Sequence, residues 1–112
     1  MKFLFLIEAD ENTELGIELA DVQRWFAEID RRGARLIGGR LEHTSRALCV
    51  FVEKGKPVVT DGPFAETKDA IGGFDVIECA SREAAAELAG LHPVARFGSV
   101  LVRPLIDESL TG

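Results

Sequence analysis

Residues 2–8 place Phe3, Phe5 and Ile7 on one side of an extended segment and Leu4 and Leu6 on the other, with Glu8 closing the run. Alternation of this kind predicts a strand. The following stretch, Asp10 to Glu14, is polar and offers Asn12 or Thr13 as a helix N-cap. From about residue 15 to 32, Leu15, Leu19, Val22, Phe26 and Ile29 recur at steps of four, three, four and three, which is one face of a helix. Gly33 stands just past its end, where a glycine commonly terminates a helix. Strands are expected over 34–41, opening into Gly38-Gly39, and over 46–53, dense in Leu48, Val50, Phe51 and Val52. Lys54-Gly55-Lys56 then reads as a tight hairpin turn, and 57–60 as a short returning strand. A loop from Asp61 to Gly72 leads to a strand from Phe74 to Cys79. Ser81 caps a short helix to about Leu91, with Ala84, Leu88 and Leu91 inward and with Gly90 and Pro93 breaking it. Ser99 to Arg103 is the last strand.

The order β-α-β-β-(β)-β-α-β, stripped of its extra hairpin arm, is the split βαβ pattern of a ferredoxin-like α+β subunit. That fold has an antiparallel sheet with both helices on one face. The strands at 3–6, 48–52 and 100–102 are apolar on both sides, whereas an antiparallel strand facing water alternates. A second copy of the chain is the simplest cover, so a homodimer is expected. Residues 1–105 form one domain and 106–112 a frayed tail.

Composition narrows the class. The chain has 112 residues, 46% hydrophobic and 29% charged, as in a globular domain. No apolar run approaches the ~18 residues of a membrane span. The start is read as a strand and not as a signal peptide, which places the protein in the cytoplasm. The net charge of −6 argues against nucleic-acid binding. The densest basic stretch, Arg31, Arg32, Arg35 and Arg40, reads as a helix end plus a strand. Cys49 and Cys79 sit in apolar runs and are expected to be buried thiols, neither bridged nor metal-bound. No cofactor is expected, since the chain has no P-loop, dinucleotide glycine pattern or serine elbow. Metal is expected to be dispensable, because carboxylates alone would make only a weak hard-cation site.

Candidate chemistry gathers on the loop from Asp61. Gly62-Pro63 stiffens it and Phe64 offers an apolar anchor, so Asp61, Glu66, Lys68 and Asp69 are presented together. Asp61 suits a general base or an orienting group, against the alternative of an Asx turn. Lys68 could hold an anion, with Glu66 beside it, against the alternative of a solvated pair. Imidazole chemistry must use His43 or His92, the only two histidines. The alternatives are a surface turn for His43 and a helix cap for His92. Arg103 could pair with Asp61 or Glu66, and Trp25 is expected in the core or interface, with a pocket wall as its other role.

The stretch Asp61-Gly62-Pro63-Phe64-Ala65-Glu66-Thr67-Lys68-Asp69-Ala70-Ile71-Gly72-Gly73-Phe74 resembles the signature of the YCII-related, DGPF-type proteins. Val59-Thr60, Ile77-Glu78, His92-Pro93, Gly98-Ser99-Val100 and Val102-Arg103-Pro104 extend the likeness, and Gly38-Gly39-Arg40-Leu41 fits the segment after the first helix. The resemblance implies a ferredoxin-like subunit paired into a dimeric α+β barrel. Some relatives in the wider superfamily are cofactor-free lyases or dehalogenases using a His–Asp pair, and some DGPF-type members are associated with sigma factors. The catalytic relatives carry a histidine early in the first helix. Here that region reads Asp21-Val22-Gln23-Arg24-Trp25-Phe26. The expectation is therefore a non-catalytic module binding a small, anionic ligand or a protein such as a sigma factor. The alternative is a cofactor-free lyase, isomerase or dehalogenase moving protons on a small organic anion.

Overall fold

The computed structural model describes residues 1–62 and 69–106. Six strands and two helices run in the order β1 (Lys2–Ala9), α1 (Leu19–Arg31), β2 (Arg35–Arg40), β3 (Leu48–Glu53), β4 (Lys56–Asp61), β5 (Ala70–Glu78), α2 (Arg82–Gly90) and β6 (Ser99–Pro104). The main sheet is four-stranded, in the order β2-β5-β1-β6, and every neighbour is antiparallel. This is an α+β arrangement compatible with a ferredoxin-like fold. β3 and β4 pair only with each other, as a separate two-stranded arm. Lys54 and Gly55 both take positive φ, 51° and 77°, as a two-residue hairpin turn of the I′ kind demands.

One face of the main sheet carries the core. Phe3, Phe5 and Ile77 meet Trp25 and Ile29 of α1 and Ala85, Leu88 and Ala89 of α2. Trp25 also ties the helices together, its indole Nε1 donating to the Leu88 carbonyl at 3.0 Å. The opposite face presents Leu4, Leu6, Ile37, Phe74, Val76 and Leu101, the residues that alternate with the core-facing ones in the strand register. No helix with the length and apolarity of a membrane span occurs among the described residues.

Several expectations need correction. α1 starts at Leu19, four residues after the expected Leu15. The Asp10 carboxylate takes Asn12 N–H at 3.0 Å and Thr13 Oγ1 at 2.8 Å, so both expected caps serve a turn of their own. Gly16 then takes φ +70°, which no right-handed helix accommodates. Leu19 is consequently exposed, and the buried residues of α1 are Trp25 and Ile29. β5 begins at Ala70 instead of Phe74, because Ala70 and Ile71 pair with Ala9 and Glu8 across a bulge. The buried face of α2 is Ala85, Leu88 and Ala89; Leu91 is the C-cap and is exposed. Cys49 and Cys79 are free thiols but only half-buried.

Candidate functional site

A cleft of about 270 Å³ opens between α1, the segment after α2 and the strands β1, β2 and β5. Its apolar walls come from the side chains of Ile7, Val22, Phe26 and Val94, its polar groups from Arg35, Arg40, Asp75 and His92, and its floor from the strand around Gly73 and Phe74, whose ring points to the other face of the sheet. Asp75 lies in the middle of β5, within the apolar run Phe74-Asp75-Val76-Ile77. It pairs with Phe5 across the sheet, so it faces the helices from a core position and is only 4% exposed. A carboxylate there needs a partner. Arg35 supplies it, Nε donating to Asp75 Oδ1 at 2.7 Å. The guanidinium also lies over the Phe26 ring, Cζ 4.9 Å from the centroid, which fixes its plane. Burial pushes the Asp75 carboxyl above its ordinary range, and the Arg35 bond and charge offset this only in part.

Gly38 makes room for this pair. It sits opposite Asp75, and a Cβ at that position would stand 2.1 Å from Asp75 Oδ1 and 2.8 Å from Arg35 Nη2. His92 borders the same cleft from the far side. Its Nδ1 accepts the Val94 N–H at 3.1 Å, which caps the 3₁₀ turn Pro93–Arg96. Its ring stands edge-on to Trp25, 4.6 Å between centroids. Burial lowers the imidazole to about 4, so at neutral pH it is uncharged. With Nδ1 accepting, the ring proton resides on Nε2. The cleft thus combines a fixed guanidinium, a buried carboxylate and a neutral N–H donor within apolar walls. Such an arrangement can orient a small molecule and exchange a proton with it.

Residues 1–109 match the YCII-related domain. The chain belongs to the YCII-related domain family. A relative from Rhizobium meliloti (strain 1021) is 36% identical over 100 residues, covering 86% of this chain and 77% of that protein, and it is an uncharacterized protein. In this YCII-related chain the sequence-predicted residues are dispersed. His92 and Trp25 meet at the cleft, Trp25 through its contact with the His92 ring. Asp61 ends β4 on the arm, opposite Leu48, exposed, and the cleft is formed without it. His43 caps a 3₁₀ turn at Thr44–Arg46, with Nδ1 accepting from Ser45 N–H at 3.1 Å and Nε2 2.9 Å from Asn12 Oδ1. Arg103 is exposed on the edge strand β6 and makes no ion pair with Asp61. Phe64, Glu66 and Lys68 lie outside the described residues. The residues that sequence reasoning passed over are Asp75, Arg35 and Phe26. Their signal was a carboxylate inside an apolar strand, which is stable only with a partner.

Proposed function

We propose that this YCII-related domain binds a small organic molecule in the cleft between α1 and the sheet. The observation that carries the reading is the Arg35–Asp75 pair set at a core position of the sheet and opening, with neutral His92, onto apolar walls. A purely structural pair has no need of a cleft beside it. Fragment screening by amide chemical-shift mapping tests the reading. Hits should move the amides of Phe26, Phe74 and Val94; hits that move only the arm, β3 and β4, would contradict it.

The displaced carboxyl of Asp75 favours a second reading, in which the domain catalyses proton transfer with Asp75 as base and His92 Nε2–H as donor to the substrate. A cleft-bound ligand with an acidic C–H would then exchange it in heavy water with the wild type and not with Asp75→Asn. Equal exchange by both would end this reading and leave the binding one standing.

We also infer that the open sheet face of Leu4, Leu6, Ile37, Phe74 and Leu101 pairs with a second copy. It presents apolar residues from all four strands, which a monomer would leave in water. Light scattering on a sizing column should give twice the chain mass of 12.2 kDa at micromolar concentration. A monodisperse 12.2 kDa species would refute the pairing.

A further inference from the structure

Strand geometry places side chains on alternate faces, so Arg35 and Arg40, five residues apart, should point to opposite sides of β2. A register shift between Arg35 and Ile37 changes that. Arg35 pairs with Ile77, Gly38 with Asp75 and Arg40 with Gly73. Those three β5 residues in turn oppose Phe3, Phe5 and Ile7, the positions facing the helices. The bulge therefore brings both arginines to the cleft, with side-chain-free Gly38 between them, and both border it.

The charges around the cleft can be counted from every element that forms it. β2 supplies Arg35 and Arg40, β5 supplies Asp75, and the segment after α2 supplies His92, which burial keeps neutral. β1 and α1 contribute Ile7, Val22 and Phe26, which are uncharged. Among the described residues, two cations against one carboxylate leave an excess of one positive charge at the cleft, in a chain whose net charge is −6. Arg35 gives only Nε to Asp75, and Arg40 makes no ion pair among the described residues. A monoanion would bring these groups to neutrality, whereas a dianion would overshoot and a neutral ligand would gain nothing from the cationic excess. A planar carboxylate also matches guanidinium donors in pairs. The 270 Å³ volume falls just below the ~300 to ~1,000 Å³ of most ligand pockets, which suits a ligand of about one ring.

Resting on the reading of this cleft as the ligand site, we propose that its ligand is a compact apolar monocarboxylate, the carboxylate held by Arg35 and Arg40 and a body about the size of one ring held against Val22, Phe26 and Val94. Titration calorimetry with benzoate and cyclohexanecarboxylate, alongside benzamide and phenyl phosphate, tests it. At least one carboxylate should bind at one per chain and move the Phe26, Phe74 and Val94 amides. Benzamide and phenyl phosphate should each bind about tenfold more weakly, and Arg40→Gln should weaken the carboxylate about tenfold, as expected for a lost charged hydrogen bond. Arg40 is exposed, so the fold should tolerate the change, and Arg40→Lys should retain part of the affinity. Benzamide binding as well as the carboxylates at those amides, phenyl phosphate binding more tightly, or an Arg40→Gln variant with unchanged affinity would overturn the carboxylate assignment and leave the cleft as a ligand site. If none of the four compounds moved the cleft amides, both the assignment and the reading of the cleft would fall.

Discussion

Lowering the pH through the range where an exposed imidazole titrates should destabilise this domain through His92. The side chain is 8% exposed, its Nδ1 accepts the Val94 N–H, and its ring packs on Trp25. Burial holds its pKa at about 4 in the folded state, against an ordinary value of 6.5. Between those values the unfolded chain binds a proton that the folded chain refuses. Stability is therefore complete above the unfolded value and is lost as the pH falls from 6.5 towards 4. The loss amounts to about 1.4 kcal/mol at pH 5.5 and approaches about 3 kcal/mol below pH 4. Asp75 acts with the opposite sign. Its carboxyl titrates higher folded than unfolded, so protonation as the pH falls favours the fold. Glu28, held down to about 2 by bonds from Arg31 and Arg32, titrates outside the window in the folded state and is untouched by a change at His92. The His92→Asn variant isolates the effect, because an asparagine side chain can still accept the Val94 N–H but does not titrate. Urea unfolding of both proteins at matched concentration, from about pH 7.5 to about pH 5.5, gives the test. The stability advantage of wild type over the variant should shrink by about 1.4 kcal/mol on acidification. An advantage that stays constant across this range would show that His92 is not buried as described.

Ile29 is fully buried between the helices and the sheet, so Ile29→Ala should cost ~2–5 kcal/mol in urea unfolding; a loss under about 1 kcal/mol would mean that α1 does not dock as found. Gly98→Ala should destabilise by at least ~1 kcal/mol, since the new Cβ would stand 2.1 Å from the Glu8 carbonyl oxygen and force the entry to β6 to shift. Gly90→Ala is the matched control: nothing lies within 4 Å of its Cβ position, and α2 should gain up to ~1 kcal/mol.

The fold was readable in outline because apolar spacing and turn chemistry agreed. β1, β3 and the Lys54-Gly55 turn follow directly from alternation and from the need for positive φ. The start of α1 was not readable, because Asp10 competes for Asn12 and Thr13 through side-chain bonds that local pattern does not reveal. The first residues of β5 were obscured by Gly72-Gly73, which reads as loop but forms a bulged stretch of strand opposite Ile7 and Glu8. The site was largely hidden for a related reason. Asp61 and its neighbours stand out in a charged, punctuated loop, while Asp75 and Arg35 are 40 residues apart and become partners only when β2 and β5 pair. Arg40 joins them only through the bulge in β2, which reverses the face that strict alternation assigns to one of the two arginines. His92 was legible as a residue type but its burial was not, because that depends on Trp25 reaching it from α1.

On the function proposed above, this domain receives its ligand in the cleft bordered by Phe26, Arg35, Asp75 and His92. Crystals soaked with benzoate, cyclohexanecarboxylate and a library of neutral fragments would locate that ligand site. Bound molecules should cluster in that cleft, with the carboxylates oriented towards Arg35 and Arg40. Density confined to the outer groove of Asp21, Arg24, Leu91 and Arg96, or to the β3–β4 arm, with the cleft empty throughout, would contradict that proposal.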